Sequence, residues 1–562
     1  MKGSEDLDTV KRLWERSWDS HDRIKELLLF RMNMNPGGPK SDDPDRMAKA
    51  SGKLTGTFRQ PSPEGRDYSA KQKVGLFLGP ALFIILLLFF RAEGLSAEAL
   101  GVLAATVWIA TWWITEAIPI PATSLLPIIL FPLVAGVGVG DVTPSYGDPL
   151  VFLFLGGFII ALALERWNLH KRIALGIISF VGTSTSGIML GFMAATGFLS
   201  MWISNTATAM MMVPIGTAII FQMSSLIDDG SVKDAEHQKS LFAKGLMIAI
   251  AFSASIGGIA TIIGTPPNTI LAAQLRAIYG IDLSFAQWML FGVPFAVIMI
   301  LFAWVYLVKF AFPMTLKNIP GGKEVIKRER DALGKMSADE KMVAVVFSAT
   351  ALAWILRSFV LQEYISPAID DTMIAIAGAL VLFLIPSFQY QGVKLMNWDT
   401  AKNVPWGILL LFGGGLAIAG GFGSSGLDVW IGERLTVLDG VQFIVIITVV
   451  SLVVVFLTEI TSNTASATML MPIMAALALA VDVHPFAVMV PAAVAASCAF
   501  MLPVATPPNA VVFGSGYLKM MDMVKAGIWM NIFATIALVG FVTLLLPLVF
   551  GIELTSFPDS LR

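Results

Sequence analysis

Two short polar motifs lie inside long apolar stretches of the chain. Ser-Asn-Thr occupies residues 204–206 and recurs at residues 462–464. Hydroxyl and amide oxygens are the ligands that hard cations prefer, while hydroxyl and amide hydrogens can donate to an anion. A single motif of this type most often marks only a helix cap or a turn. Two copies in apolar surroundings instead indicate a polar site for small ions.

A second motif follows each Ser-Asn-Thr motif. Gly-Thr-Pro-Pro-Asn spans residues 264–268, and Ala-Thr-Pro-Pro-Asn spans residues 505–509. Upstream of both, Phe-Leu-Gly-Gly at residues 154–157 is matched by Phe-Gly-Gly at residues 412–414. Three matched motifs in one order indicate an internal duplication.

The Pro-Pro pairs must interrupt helices within the membrane. Proline lacks an N–H, and the residue before it is pushed out of the helical region. Each break exposes carbonyl groups at one half-helix end and N–H groups at the other, which the membrane tolerates only where ions, substrate or protein satisfy them. We therefore expect four interruptions, two from each repeat, to converge near the midplane. The oxygens would suit an alkali cation, and the half-helix N-termini would suit a carboxylate.

The composition requires a lipid environment for most of the chain. Hydrophobic residues make up 56% of 562 residues and charged residues only 14%, which is too apolar for a soluble core. The net charge of −2 gives no electrostatic basis for binding nucleic acid. The single cysteine, Cys498, excludes an intramolecular disulfide. We see no metal-ligand cluster or nucleophile motif in the apolar spans, so we expect no enzyme and no organic cofactor.

Long apolar runs predict an all-α polytopic membrane protein with about eleven membrane-spanning helices. The predicted spans are Val74–Phe90, Ala97–Thr115, Ala117–Val139, Pro149–Leu164, Phe242–Ile263, Trp288–Phe312, Met342–Val360, Thr372–Ile385, Pro405–Ile418, Phe486–Val504 and Met523–Phe550. Two further regions, 187–221 and 441–481, are too long for one crossing and are interrupted by the Ser-Asn-Thr motifs, so each is predicted to be a re-entrant hairpin. An odd number of crossings separates them, which predicts two inverted repeats.

The predicted parts of the chain follow from these elements. They are a cytoplasmic tail (1–73), a lone first transmembrane helix (74–95), repeat 1 (96–313) with its hairpin and a broken helix (242–278), a cytoplasmic linker (314–341), and repeat 2 (342–562) with its hairpin and a broken helix (486–513). Helical spacing of apolar residues in the tail predicts an amphipathic helix at Asp8–Arg31. Lys and Arg cluster in the loops on the tail's side, which predicts a cytoplasmic N-terminus and an extracellular C-terminus in the plasma membrane.

The paired motifs resemble those of the divalent anion/sodium symporter family, the solute carrier 13 group with its bacterial sodium/dicarboxylate symporters. The resemblance covers the chain from Val74 to the C-terminus and implies an elevator-type transporter that forms a homodimer. It implies substrate contacts from Asn205, Thr206, Asn463, Thr464 and Pro507. It implies one sodium site from Ser200, Ser204, Asn205 and Gly264, and a second from Thr458, Ser462, Asn463 and Ala505. Ser200 and Thr458 each lie one helical turn before the motif serine, which fits these assignments.

The function that the resemblance implies is sodium-coupled uptake of a C4-dicarboxylate such as succinate, malate or fumarate. The alternatives left open are a sodium-independent antiporter, a proton-coupled carrier that uses Glu459, and citrate or sulfate as the substrate. A channel is a further alternative. An acidic residue inside a membrane is a functional candidate by default, although a structural hydrogen bond explains Glu459 equally well. Glu116, beside two prolines, is expected to be a helix-end partner for a backbone amide.

Overall fold

The computed structural model describes residues 69–181, 184–228, 235–314, 322–438 and 440–561. Within these ranges the regular secondary structure is helical, with loops between the helices and an isolated bridge between Pro386 and Lys394. The predicted amphipathic helix at Asp8–Arg31 lies outside the described residues.

The helices are numbered here in chain order. They are α1 (Ala70–Phe89), α2 (Ala97–Thr115), α3 (Ile120–Thr123), α4 (Leu126–Val134), α5 (Val139–Val142), α6 (Pro149–Arg166), α7 (Leu169–Val181), α8 (Thr185–Ser200), α9 (Asn205–Asp228), α10 (Ala235–Ile259), α11 (Pro266–Tyr279), α12 (Phe285–Tyr306), α13 (Gly322–Ala332), α14 (Ala338–Leu356), α15 (Gln362–Tyr364), α16 (Asp371–Leu384), α17 (Trp398–Ala401), α18 (Trp406–Ser425), α19 (Leu427–Leu435), α20 (Phe443–Thr458), α21 (Asn463–Ala480), α22 (Pro485–Ala496), α23 (Pro507–Gly514) and α24 (Met520–Phe550). Single π-helical turns extend α12 and α14, at Leu307–Ala311 and Arg357–Leu361.

Among the described residues, nine helices are long and apolar enough to cross a bilayer, or ten if the bent pair Leu427–Leu438 and Phe443–Thr458 counts as one span. The expected all-helical, polytopic membrane protein is therefore confirmed. Eight predicted spans fall on long helices, namely α1, α2, α6, α10, α12, α14, α18 and α24. The other three fall on shorter apolar helices.

The predicted span Ala117–Val139 differs most from the structure. Glu116 ends α2 in the left-handed conformation, with φ of 52°, and α3 and α4 follow as two short pieces. Pro119 and Pro121 at the start of α3 explain the break, because proline cannot donate into a preceding turn. Apart from Thr123 and Ser124 this segment is apolar, so hydropathy alone did not reveal the interruption.

The four predicted interruptions are present at the expected places. The Ser-Asn-Thr motifs separate α8 from α9 and α20 from α21, while the Pro-Pro motifs separate α10 from α11 and α22 from α23. The breaks span residues 201–204, 459–462, 260–265 and 497–506. Each Pro-Pro pair occupies the first turn of the following helix, where the missing N–H costs nothing.

The helix that leads into the first Pro-Pro motif lies at the centre of the packed helices. In the 18-residue apolar window of Glu236–Ile259, 94% of the residues are buried, against 11% in the corresponding window of α1 at the periphery. Close packing against α8 depends on glycine, because a side chain at Gly257 would collide with the backbone of Gly197. Small residues let helix backbones approach closely in membranes, where apolar burial gives no drive for association. The break is thus held on rigid, buried elements.

Candidate ion and substrate site

The four interruptions meet at one cavity of about 600 Å³. The following residues of the breaks and of the first turns of the helices after them line it: Ser204, Asn205, Thr206, Ile263, Gly264, Thr265, Pro266, Ile460, Thr461, Ser462, Asn463, Thr464, Pro503, Val504, Ala505, Thr506, Pro507 and Pro508. The third pair of matched motifs also meets beside the cavity, where the rings of Phe154 and Phe412 lie 4.9 Å apart. The expected convergence of two segments from each repeat is therefore present in the structure.

The four helices that follow the breaks begin at this cavity. Asn205 starts α9, Pro266 starts α11, Asn463 starts α21 and Pro507 starts α23, and all four residues line the cavity. The N-terminus of a helix carries partial positive charge and free N–H groups, so it favours an anion. The helix N-termini therefore favour an anion at this cavity, and none of the described residues that line it is an arginine.

The first group of oxygens lies behind the Asn205 side of the cavity. The Ser200 hydroxyl, whose side chain is fully buried, is 2.5 Å from Oδ1 of Asn205 and 2.6 Å from the carbonyl oxygen of Ala254. The same end of the Asn205 amide is 3.1 Å from the Ala254 carbonyl and 3.3 Å from the Gly264 carbonyl. Side chains from the first motif and carbonyls from the broken helix therefore converge on one point.

This group holds more oxygens than protons. A serine hydroxyl has one hydrogen, so it can donate to only one of its two oxygen neighbours. With the amide oxygen of Asn205 turned inward, four oxygen atoms face each other with a single proton among them. With the amide nitrogen turned inward, it donates to the Ala254 and Gly264 carbonyls instead. The first arrangement suits a hard monovalent cation, and the second satisfies the carbonyls without one.

Glycine is required where the broken helix approaches this group. A β-carbon at Gly258 would lie 2.7 Å from Oδ1 of Asn205 and 3.0 Å from the Gly264 carbonyl oxygen. The first distance is too short for a carbon atom and the second is tight, so a side chain at this position would shift the Asn205 amide. The position of the oxygen atoms in the first group therefore depends on the absence of a side chain at residue 258.

The second group repeats this arrangement in the other half of the chain. The buried Thr458 hydroxyl donates to Oδ1 of Asn463 at 2.6 Å or to the Ala496 carbonyl at 3.0 Å. Again one proton serves two oxygen acceptors. Thr458 occupies the position of Ser200, and Ala496 occupies the position of Ala254. The two groups are thus built alike from α20–α22 and α8–α10.

The remaining predicted residues lie in the cavity wall or directly behind it. Thr206, Thr464 and Pro507 line the cavity, as do Ser462 and Ala505. The Ser204 hydroxyl accepts the N–H of Ala207 and caps α9. Ser200 and Thr458 lie behind the cavity wall, among the buried residues. The structure therefore gathers the predicted residues in one place, and their roles in binding remain predictions.

The family profile described as the sodium:sulfate symporter transmembrane region matches residues 70–552. The chain belongs to this family. The resemblance drawn from the paired motifs is thereby confirmed, since that profile and the motifs cover the same part of the chain.

Named relatives of this family member come from staphylococci. The sodium-dependent dicarboxylate transporter SdcS of Staphylococcus saprophyticus is 49% identical over 495 residues, covering 88% of this chain and 95% of the relative. The protein of the same name from a bovine strain of Staphylococcus aureus is 49% identical over 502 residues, covering 89% and 96%. Among solved structures, MtrF of Neisseria gonorrhoeae has a TM-score of 0.50 at 11% identity and covers 83% of this chain and 94% of its own. This last likeness concerns the fold alone.

Sequence reasoning missed two asparagines that organise the breaks of this sodium:sulfate symporter family member. Asn268 and Asn509 end the two Pro-Pro motifs, and both are fully buried. In each copy the side-chain amide donates to backbone carbonyls ten and seven residues earlier, at 2.8–3.3 Å. These bonds satisfy carbonyls that the broken helix leaves free. The signal was available, since an amide follows directly after the prolines in both motifs.

Glu459 supports the second break and does not face the cavity. Its buried carboxylate accepts the backbone N–H groups of Phe500, Met501 and Leu502 at 2.8, 2.9 and 3.0 Å, and the side-chain amide of Asn531 at 2.7 Å. These four hydrogen bonds support the structural explanation for this acidic residue. Glu116, in contrast, is exposed and lines the cavity, while its own backbone N–H bonds to the Trp112 carbonyl.

Proposed function

We propose that this protein is a secondary active transporter that couples inward sodium movement to uptake of C4-dicarboxylates such as succinate, malate or fumarate. The observation that carries the proposal is the cavity at which four helix N-termini meet, next to two oxygen groups of matching geometry. The names of the staphylococcal relatives agree with sodium as the coupling ion and a dicarboxylate as the substrate.

The duplication favours a substrate with two anionic groups. Each repeat contributes one Asn-Thr pair and two helix N-termini to the same cavity. A dicarboxylate can place one carboxylate against each set, whereas sulfate concentrates its charge on one small group. The volume of about 600 Å³ is in the range of small-molecule sites. Sulfate and citrate remain the competing substrates, and the substrate panel below separates them.

Sodium is needed to balance the charge of the substrate. Of the described residues that line the cavity, Lys71 and Glu116 are the ones that carry formal charge, and both are exposed. Helix dipoles contribute only partial charges, so a dianion in this cavity requires cations close by. We infer that sodium binds first, at two sites. The first site consists of Ser200, Ser204, Asn205 and Gly264, and the second consists of Thr458, Ser462, Asn463 and Ala505. Asn205, Thr206, Asn463, Thr464 and Pro507 then bind the substrate.

The wider arrangement belongs to the same proposal. We infer two inverted repeats, a transport domain that moves against a scaffold in the elevator manner, and a homodimer. We also infer insertion in the plasma membrane with a cytoplasmic N-terminus and an extracellular C-terminus. The matched motifs and the distribution of Lys and Arg support these inferences.

Uptake by purified protein in liposomes tests the proposal. We expect uptake of labelled succinate that needs an inward sodium gradient and stops when choline replaces sodium. Unlabelled malate and fumarate should compete, and sulfate and citrate should compete weakly or not at all. Uptake that continues in choline, or exchange that needs only internal dicarboxylate, would refute sodium coupling.

Two matched variants test the site. Asn205→Ala and Asn463→Ala should each abolish uptake while leaving folded protein, because each removes an oxygen from a sodium group and a donor from the cavity. Lys402→Ala is the control, since this exposed lysine forms only an ion pair with Asp399 three residues away. Normal uptake by both asparagine variants would overturn the assignment.

A further inference from the structure

A second cavity, of about 500 Å³, lies outside the transport site. Three separate parts of the chain form it: the C-terminal end of α6, the connection between α13 and α14, and the turn between α16 and α17. Two basic residues line it, Arg166 and Lys335. We call it the Arg166–Lys335 pocket.

The basic groups of this pocket lack acidic partners among the described residues. The Arg166 guanidinium donates to the Thr400 hydroxyl at 2.8 Å, and its described surroundings provide no carboxylate within 4.0 Å. Lys335 is exposed and likewise has no described ion pair. The one acidic residue that lines the pocket, Glu340, already forms an ion pair of 3.0 Å with Arg172. The pocket therefore carries net positive charge.

Aromatic rings form its other walls. Trp167 and Tyr390 line the pocket with their rings 6.3 Å apart, and the Arg166 guanidinium lies 5.8 Å from the Trp167 ring. Asn168 and Ser337 add polar side chains. A ligand that matches this lining has a compact anionic group beside an apolar part.

Exposed aromatic residues place the pocket at a membrane–water interface. The short stretch from the turn after α16 to the start of α18 exposes Phe388, Tyr390, Trp398 and Trp406. Aromatic side chains of this kind concentrate at the headgroup level of a bilayer. On the adjoining α13, the exposed charged residues that the structure describes are the basic Lys327, Arg328 and Arg330 and the acidic Glu324 and Asp331, a small excess of basic charge.

We propose that the Arg166–Lys335 pocket binds the phosphate headgroup of an anionic phospholipid. The two cations pair with the phosphate, Asn168 and Ser337 donate to its oxygens, and the aromatic walls contact the glycerol and upper acyl region. A soluble phosphate would match the cations but would leave the aromatic walls without a partner. The bound lipid would join the end of α6 to the inter-repeat connection and to the turn after α16.

Lipid retention tests this proposal without any transport measurement. The protein is reconstituted in vesicles of phosphatidylcholine and phosphatidylglycerol, extracted in detergent, and its bound lipids are counted by native mass spectrometry. The wild type should retain phosphatidylglycerol in preference to phosphatidylcholine. Each basic residue near a headgroup contributes about fivefold to affinity, so the double variant Arg166→Gln/Lys335→Gln should lose about 25-fold. Lys335→Gln alone should lose about fivefold, and its exposed position leaves folding unaffected.

The control removes the same charge from the same face. Lys327→Gln/Arg328→Gln changes two exposed basic residues of α13 that do not line the pocket, and it should retain phosphatidylglycerol at the wild-type level. Equal losses in the two double variants would overturn the proposal, because they would show binding to surface charge in general. Absence of any preference in the wild type would overturn it too. So would stabilisation of the wild type by inorganic phosphate with no retained lipid.

Discussion

Glu459→Gln is the substitution that best separates a structural role for this acid from a proton relay. The carboxylate oxygen Oε1 accepts from Phe500, Met501 and Asn531, and Oε2 accepts from Leu502 at 3.0 Å. Glutamine has the same shape, but it keeps only one acceptor oxygen and places an amide nitrogen against the fourth donor. The variant therefore changes charge and hydrogen bonding without creating a cavity.

The magnitude follows from these four bonds. A hydrogen bond to a charged group is worth about 1 kcal/mol more than a neutral one, so three retained bonds lose about 3 kcal/mol together. The N–H of Leu502 loses its acceptor, which costs a further 1 to 3 kcal/mol, roughly. The total of about 4 to 6 kcal/mol falls on the break that leads to Ala505 and Pro507. A site that is ordered only in a fraction of molecules binds more weakly by that fraction, and a cost of about 4 to 6 kcal/mol corresponds to at most about 10³- to 10⁴-fold weaker binding.

Sodium activation of succinate uptake and thermal unfolding measure this effect. We expect Glu459→Gln to unfold at lower temperature and to need far more sodium for uptake. Asp399→Asn is the matched control, because this exposed carboxylate has one exposed partner and contributes little to stability. A variant with wild-type stability and sodium activation would refute the structural role. If it also lost the pH dependence of uptake, the residue would be a proton relay.

Three further substitutions test other parts of the structure. Ser200→Ala removes one oxygen from the first sodium group, and we expect sodium activation to weaken about 10- to 100-fold in uptake assays. Gly258→Ala brings a β-carbon within 2.7 Å of Oδ1 of Asn205, so we expect sodium-induced thermal stabilisation to be lost. Arg357→Met leaves two carboxylates unpaired, including the buried Asp371 at 3.2 Å, and we expect unfolding to become easier by about 3 to 5 kcal/mol.

Each of these substitutions has a control of the same chemical type. Ser253→Ala removes a buried hydroxyl that bonds only to carbonyls of its own helix, and it should leave sodium activation unchanged. Gly420→Ala places its β-carbon in open space and should be neutral or stabilising. Lys402→Met breaks an exposed ion pair and should cost less than about 1 kcal/mol. Any target variant that behaves like its control would refute the role given to that residue.

The sequence by itself predicted the membrane environment and the four helix breaks, and it showed the paired motifs that indicate a duplication. These properties are local: apolar run length predicts spans, and proline pairs end helices whatever surrounds them. The recurring motifs marked Asn205 and Asn463 as polar residues in apolar surroundings, and the family resemblance implied their roles in sodium and substrate binding. Sequence reasoning did not detect the break between α2 and α4, because this segment was assigned as one span from its apolar length, although prolines interrupt it.

Only the tertiary structure decided which backbone groups complete the site. The carbonyls of Ala254 and Ala496 lie more than thirty residues from the hydroxyls that contact them, and a carbonyl has no signature in the sequence. The partners of Glu459 were likewise hidden, because backbone N–H groups are present at nearly every residue and only the path of the chain aims three of them at one carboxylate. The sequence gives the identity of each side chain, whereas the direction in which backbone N–H and C=O groups point depends on how the helices pack.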